Sequence, residues 1–126
     1  MISQEFKPAF SDTLEYFKRN FILPVDEPET NLRIDFAAGL TVFDKEVISR
    51  RTRKSFGGAE VFVCTLEDLI IYKLFAGRYA DLSDIEFLLE KNISTVDKKY
   101  LLQTAESFVE LEREDMLENL NKLLKK

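Results

Sequence analysis

The chain has 126 residues, a formal net charge of −5 at pH 7, and 45% hydrophobic and 33% charged residues. This balance is that of a globular protein, and the length predicts a single domain over residues 1–126. Histidine is absent and Cys64 is the one cysteine, which excludes imidazole-based catalysis, histidine-ligated zinc and a disulfide framework. The apolar runs are too short for a membrane span, and the N-terminus does not resemble a signal peptide. A single cysteine is typical of a reducing compartment, so we expect a cytoplasmic protein.

The first half of the chain is predicted to be one helix followed by two strands. Apolar residues recur at helical spacing before Asn20 and predict an amphipathic helix with Pro8 in its first turn. Those residues are Phe6, Phe10, Leu14 and Phe17. The pattern then predicts, in order, a strand at residues 21–25 with Pro24 at an edge or strand end, an acidic turn at 26–30, a strand at 32–38 and a loop or short helix at 41–48.

The second half is predicted to be a hairpin followed by helices. Strands at residues 50–56 and 59–64 are joined by Gly57 and Gly58, a pair that suits a two-residue turn. A helix begins after Thr65, a good N-cap, and ends at Gly77. Three further helices are predicted: one over about residues 81–91, one opened by residues 94–97 with Leu101, Ala105 and Phe108 inward, and one with Met116, Leu120 and Leu123 or Leu124 on its apolar face.

Together these elements predict an α+β fold. A small mixed sheet with one helix occupies residues 1–64, and a C-terminal helical segment occupies residues 65–126. No internal repeat, linker or low-complexity tract divides the sequence.

Asp35 is the first candidate for a functional residue. Alternation along the strand places it on the same face as Arg33, and aspartate is depleted in the middle of strands because its charge needs water, a partner or a metal. Two interpretations stay open from these residues alone. Asp35 is either a ligand for Mg²⁺, or a surface residue that forms a salt bridge with Arg33 or faces water.

A second group of candidates follows on the helices. On a helical wheel Lys73 falls on the side that faces the protein, so it must extend its amine to solvent, pair with a carboxylate or hold an anion such as a phosphate. Asp81 and Asp84 are explained most simply as an N-cap and an acid in the first turn of a helix, and Arg78 can pair with either.

The single basic run of the sequence lies in the predicted hairpin. Alternation places Arg51 and Arg53 on one face of the strand and Arg50 and Lys54 on the other. A solvated strand and a contact with RNA or phosphate both fit this pattern, although the acidic net charge disfavours a broad contact with nucleic acid. Cys64 at the end of the hairpin reads as a small packed hydrophobe.

Taken together and in order, these residues resemble the large nucleotidyltransferase family that includes the toxins of type IV toxin–antitoxin (abortive-infection) systems and many prokaryotic relatives. The resemblance covers about residues 31–92, roughly half of the chain. Its motifs are the strand Arg33-Ile34-Asp35, a glycine and helix start at Gly39 and Phe43-Asp44, the run T-L-E-D-L-I-I-Y-K-L-F-A-G-R at residues 65–78, and D-L-S-D-I at residues 81–85. The last two motifs together are more specific than the first.

The resemblance implies a nucleotidyltransferase fold, a nucleoside triphosphate (NTP) as ligand and Mg²⁺ as cofactor. Asp35 matches a catalytic carboxylate that binds the metal, and Lys73 matches the lysine that faces the triphosphate. Arg78, Asp81 and Asp84 match residues that line the same nucleotide-binding cleft. In such a site Mg²⁺ orients the triphosphate and activates an attacking hydroxyl for transfer of a nucleoside monophosphate.

The chain departs from the family pattern before that strand. Relatives carry a Gly-Ser or Gly-Gly turn followed by an aspartate pair of the D-x-D type, whereas no glycine precedes Arg33 here and Asp12 and Asp26 are isolated. One carboxylate holds Mg²⁺ more weakly than three. We therefore expect a degenerate or truncated nucleotidyltransferase-like protein that binds a nucleotide or a protein partner without autonomous turnover.

Two alternatives stay open. One is an active Mg²⁺-dependent nucleotidyltransferase that another chain completes, and the other is a purely structural or interaction protein with a vestigial cleft. Loss of the first strand and helix of the family fold would leave a sheet edge uncovered, and exposed edges invite pairing. We therefore also expect a homodimer or a stable heteromeric protein partner.

Overall fold

The computed structural model describes residues 7–8, 13–20 and 22–126. Two compact units make up the chain, residues 1–45 and residues 46–126. Within the described residues the strands are β1 (Lys7–Pro8), β2 (Ile22–Asp26), β3 (Arg33–Ala37), β4 (Thr52–Phe56) and β5 (Ala59–Val63). The α-helices are α1 (Thr13–Asn20), α2 (Val42–Ser49), α3 (Leu66–Ala76), α4 (Tyr79–Asn92), α5 (Lys98–Ser107) and α6 (Glu114–Leu124), with a 3₁₀ turn at Phe108–Leu111.

The first unit contains a three-stranded antiparallel sheet in the order β1-β2-β3. The two strands predicted on either side of the acidic turn, β2 and β3, pair as an antiparallel hairpin, in which Val25 pairs with Ile34 and Asp26 with Arg33. The turn between them is held by the carboxylate of Glu27, which accepts the backbone N–H groups of Glu29 and Thr30. The acidic turn of the sequence therefore satisfies its own backbone donors.

Two expectations for this unit are corrected by the structure. Pro8 lies in β1 opposite Val25 and not in the first turn of a helix; the helix in this region is α1. Phe6 and Phe10, which were expected on that helix, lie outside the described residues. Pro24 lies in the central strand rather than in an edge strand, and it is tolerated because, among the described residues, β1 pairs with β2 at Val25 and Asp26 and not at Pro24.

The segment expected as a loop or short helix is the helix α2. Its start is a capping box: the backbone N–H and hydroxyl of Thr41 donate to the carboxylate of Asp44, and the Asp44 N–H donates to the Thr41 hydroxyl. The β4–β5 hairpin follows and is confirmed, with Gly57 and Gly58 both at positive φ (57° and 83°), as a two-residue turn of this kind requires.

The second unit has its core among the helices. α3 packs against α4, α5 and α6, and α6 also packs against α4 and α5. The buried apolar side chains recur at helical spacing on each of these four helices: Ile70, Ile71 and Leu74 on α3, Ile85 and Leu89 on α4, Leu101 and Ala105 on α5, and Met116 and Leu120 on α6. The inward positions predicted for α5 and α6 are confirmed at Leu101, Ala105, Met116 and Leu120, whereas Phe108 is half-buried in the 3₁₀ turn.

The α+β class and the C-terminal helical segment are therefore confirmed. In detail, the described strands form two separate antiparallel sheets where the sequence predicted one small mixed sheet. α4 begins at Tyr79 and not at Asp81, because Arg78 rather than Asp81 is its N-cap. A single domain over residues 1–126 stays a prediction. Among the described residues, no helix is both long enough and apolar enough to cross a bilayer.

Candidate functional site

The turn between α3 and α4 brings four of the expected site residues together. Gly77 ends α3 in the left-handed conformation (φ +64°), and its N–H bonds to the carbonyl of Lys73. α4 begins two residues later, so its first turn lies beside the last turn of α3. The result is a cluster of Lys73, Arg78, Asp81 and Asp84, which we call the Lys73 cluster.

Each cation of the Lys73 cluster is bonded to a carboxylate. Lys73 Nζ lies 2.8 Å from Oδ2 of Asp84 and 4.0 Å from Oδ1 of Asp81. Arg78 donates from Nε to Oδ2 of Asp81 at 2.7 Å and from Nη2 to Oδ1 at 3.3 Å. The Asp81 side chain is nearly buried, whereas the Arg78 side chain is 78% exposed and that of Asp84 is 57% exposed. The buried carboxylate therefore anchors a partly open charged surface.

Asp81 is the electrostatic centre of this arrangement. It occupies the third position of α4 and also accepts the backbone N–H of the N-cap residue Arg78 at 3.2 Å. The hydrogen bond from the Arg78 side chain lowers the pKa of Asp81 against the opposing effect of burial. Asp81 is therefore ionised at neutral pH, and the pKa of Arg78 is raised by the same bond.

Lys73 was expected to extend to solvent, to pair with a carboxylate or to hold an anion. In the structure it pairs with Asp84, and its side chain is 24% exposed. Asp81 was expected to be the N-cap of α4. The N-cap is Arg78, and Asp81 bonds to it. Arg78 pairs with Asp81 and forms no ion pair with Asp84 in the described part of the chain.

Asp35 belongs to the first unit, where it lies on β3 opposite Pro24 with an exposed side chain. Arg33 does not pair with it: the Arg33 guanidinium bonds the carboxylate of its cross-strand neighbour Asp26. Within the described residues Asp35 makes neither a hydrogen bond nor an ion pair. In the same part of the chain, no three metal-ligating side chains come together as a group.

A second polar cluster was missed by the sequence analysis. Asp68 is fully buried, and its carboxylate accepts two bonds from Arg50, at 2.9 Å from Nε and 3.0 Å from Nη2. The hydroxyl of Tyr100 donates to the same carboxylate, and the Arg50 guanidinium lies 5.2 Å from the Tyr100 ring centroid. This Asp68 cluster (Arg50, Asp68 and Tyr100) ties the segment between α2 and β4 to α3 and α5.

The chemistry of the Asp68 cluster follows from its burial. Burial by itself raises the pKa of Asp68, but the hydrogen bonds from Arg50 and Tyr100 lower it to below the ordinary carboxyl value. Burial and the neighbouring Asp68 raise the pKa of Tyr100 to about 12. Burial also raises the pKa of the Cys64 thiol, which fits its expected role as a packed, unreactive side chain. These residues are therefore suited to hold the fold and not to transfer protons near pH 7.

The sequence held one signal for this cluster. Thr65, Glu67 and Asp68 open α3, and only Thr65 is needed as its N-cap, since its hydroxyl accepts the Asp68 N–H. The two acids have further partners: Glu67 accepts the backbone N–H of Asp97 at 2.9 Å, where α5 begins, and Asp68 holds Arg50. Two consecutive acids at a helix start, one of them on the apolar face, indicate bonds to other elements.

Comparison with known proteins adds one finding to this geometry. Residues 19–122 match the family described as "Nucleotidyl transferase of unknown function (DUF2204)". The chain belongs to this family. A search of curated proteins gave no match, and neither did a search of solved structures. The part matched by the nucleotidyl transferase family includes Asp35, the Lys73 cluster and the Asp68 cluster, so all three lie in the family domain.

Proposed function

We propose that this chain binds a nucleoside triphosphate at the Lys73 cluster and does not turn it over by itself. The observation that carries the proposal is the convergence of Lys73 with Arg78, Asp81 and Asp84 at one turn, in a member of a nucleotidyl transferase family. Two cations held by carboxylates beside solvent are a suitable surface for a phosphate chain that arrives with its own Mg²⁺.

The donors needed for phosphate are accessible. Arg78 uses Nε and Nη2 on Asp81, and the rest of its mostly exposed guanidinium is free to bond a phosphate oxygen. Lys73 bonds Asp84, whose carboxylate is more than half exposed. A pair this exposed is worth at most about 1 kcal/mol, so a phosphate can replace Asp84 at Lys73, or Asp84 can turn towards the Mg²⁺.

The absence of autonomous turnover is proposed from the sequence. Within these 126 residues no glycine precedes Arg33 and no aspartate pair of the D-x-D type accompanies Asp35. Affinity for hard cations rises with the number of anionic ligands, so Asp35 alone holds Mg²⁺ weakly. We therefore interpret the protein as a degenerate relative of the type IV toxin–antitoxin nucleotidyltransferases of prokaryotes, acting in the cytoplasm.

A second candidate is a working nucleotidyltransferase that another chain completes. The observation that favours it is the exposed carboxylate of Asp35 on β3, a strand paired on one side only within the described residues. A partner that supplies two more carboxylates at this edge would give Asp35 the metal site that it lacks. The partner is either a second copy of the chain or a different protein.

The test is a two-dimensional NMR titration of the chain with ATP, CTP, GTP and UTP, with and without Mg²⁺. We expect saturable shifts of the backbone signals around Lys73 and Arg78, and Lys73→Ala should weaken binding roughly tenfold because it removes a charge-assisted contact to phosphate. Lys99→Ala is the matched control, since Lys99 is an exposed lysine on α5 and is not a member of the cluster.

The outcomes separate the hypotheses. Equal binding by parent and Lys73→Ala would reject the Lys73 cluster as the site. Mg²⁺-dependent shifts that reach Asp35, and that Asp35→Asn removes while Glu29→Gln retains them, would favour the enzyme completed by another chain. An absence of shifts at millimolar nucleotide would leave the third hypothesis, a structural or interaction protein with a vestigial cleft.

A further inference from the structure

The β4–β5 hairpin is exposed on both faces along its whole length. Its register pairs Arg53 with Phe62 and Ser55 with Glu60, so these four residues share a face. Arg51, just before β4, continues the same row, because its guanidinium also lies against Phe62. We call this surface the arginine face and define it by Arg51, Arg53, Ser55, Glu60 and Phe62.

The two arginines of this face are held in place beside an exposed aromatic ring. The guanidinium carbon of Arg51 lies 4.7 Å from the centroid of Phe62, and that of Arg53 lies 5.4 Å from it. Arg51 Nη1 also donates to the carbonyl of Ile48 at 2.8 Å, which fixes the orientation of its guanidinium. Phe62 is nevertheless 56% exposed. The hairpin thus presents an ordered array of flat cationic groups and one ring.

The charge of this array is incompletely neutralised. Arg53 lies 3.4 Å from Glu60 in a pair whose two side chains are both exposed. In the described part of the chain Arg51 forms no ion pair with a carboxylate, and neither does Lys54 on the opposite face of the strand. Since the whole chain carries a net charge of −5, this local excess of cations is a distinct surface feature.

We propose that the arginine face binds single-stranded RNA. Guanidinium groups bond phosphate oxygens, and both guanidinium planes and phenylalanine rings stack on bases. Such stacking requires unpaired bases, which RNA presents in its loops and ends, whereas the bases of a duplex are already stacked on one another. The arginine face shares no residue with the Lys73 cluster, so this inference is independent of nucleotide binding there.

The test measures binding of the full chain to a fluorescent RNA of about 12 nucleotides, a length within the range that single-strand-binding modules cover. Fluorescence anisotropy gives the affinity at several salt concentrations. Arg51→Gln combined with Arg53→Gln should lower the affinity at least about tenfold, because two charge-assisted contacts are lost. The slope of log affinity against log salt should fall by about 1.4, since each phosphate contact on a single strand contributes about 0.7.

The matched control is Lys98→Gln combined with Lys99→Gln, which removes the same charge from two exposed residues of α5. It should change the affinity less than about twofold, because lysines outside the contact contribute only through screened long-range attraction. Arg51→Lys with Arg53→Lys keeps the charge and removes the flat guanidinium, so it should preserve the salt slope and weaken binding. This variant carries the test if the glutamine variant fails to fold.

Several results would overturn the inference. These are an absence of saturable binding, an equal loss in the Lys98 and Lys99 control, and full affinity in a folded Arg51→Gln, Arg53→Gln variant. Equal affinity for single-stranded DNA of the same sequence, or tighter binding of duplex RNA, would overturn the assignment of single-stranded RNA as the ligand.

Discussion

Asp68 illustrates how one buried charge organises several elements. Its carboxylate is inaccessible to water and is bonded by Arg50 from the segment before β4 and by Tyr100 from α5. Removing one partner of a buried ion pair leaves the other charge buried and unpaired. The resulting loss of stability is much larger than the difference in stability between the intact pair and a well-packed apolar replacement. The Asp68 cluster therefore makes the placement of the hairpin on the helices specific.

The first stability prediction concerns this residue. Asp68→Asn keeps the shape of the side chain but removes the negative charge that compensates Arg50. One of the two acceptor oxygens is also replaced by an NH₂ group, which cannot accept a hydrogen bond from the Arg50 guanidinium. We expect the free energy of unfolding to fall by roughly 3 kcal/mol. This value is at the lower end of the range for breaking a buried ion pair, because the Arg50 side chain is one-third exposed. Urea unfolding followed by circular dichroism measures it.

Asp84→Asn is the control for that variant. It removes the same charge from a carboxylate that is more than half exposed in its pair with Lys73. Its cost should stay below about 1 kcal/mol, since exposed ion pairs contribute little. Similar losses in the two variants would contradict the interpretation of Asp68 as a structural residue.

At the scale of the elements, local backbone chemistry sets where the helices begin and end. Thr65 caps α3 with its hydroxyl, Asp97 caps α5 with its carboxylate, and Gly77 ends α3 at a φ of +64°. The end of α3 has a further partner from a distant element: Arg113 Nη2 donates to the carbonyl of Phe75 at 2.8 Å. The α3–α4 turn that carries the Lys73 cluster is thus held by the bond from Gly77 to Lys73 and by the bond from Arg113 to Phe75.

Gly77 tests this view of the turn. Gly77→Ala forces an L-residue into the left-handed conformation, and its Cβ would meet the carbonyl oxygen of Leu74 at 3.4 Å. We expect a loss of about 1 kcal/mol in the free energy of unfolding. Gly77→Asn should lose less, because asparagine tolerates this conformation better. Thermal unfolding of the parent and the two variants measures these changes in stability. A Gly77→Ala variant more stable than the parent would contradict the left-handed conformation of Gly77.

At the scale of the whole molecule, acidic residues are stabilised in their charged form at separate places. The pKa of Asp81 is lowered by its bond from Arg78, and that of Asp115 by its bond from Arg113. The pKa of Asp68 is lowered by Arg50 and Tyr100 although burial opposes it. A carboxyl whose pKa is lower in the folded state stabilises the fold above its unfolded pKa, and that stabilisation is lost as the pH falls through its folded pKa.

We therefore predict an acid-sensitive protein. The free energy of unfolding should be nearly constant between about pH 6 and 8 and should decrease as the pH falls below about 4, the ordinary range of an aspartate. Urea unfolding at a series of pH values measures this profile. Asp68→Asn should show a shallower decrease than the parent, because one of the contributing carboxyls is gone. Stability that rises on acidification would contradict the assigned ion pairs.

The sequence by itself determined the features that depend on near neighbours. The hairpin turn at Gly57 and Gly58, the limits of α3 and the apolar faces of α5 and α6 were all predicted, because capping, turn chemistry and helical periodicity act over a few residues. The grouping of the Lys73 cluster was implied by the resemblance to nucleotidyltransferases, in which matching residues line one cleft, and its members lie within about three helical turns of one another in sequence.

Tertiary structure alone decided which distant side chains meet. Arg50 bonds Asp68 across 18 residues, and Arg113 bonds the Phe75 carbonyl across 38. Pro8 pairs with Val25 in a sheet, where local periodicity favoured a helix. Such contacts depend on how whole elements pack, and packing can override local propensity and choose among the several partners that a charge could take. For this reason the sequence predicted Lys73 as a charged group facing the protein, and only the fold assigned it to Asp84.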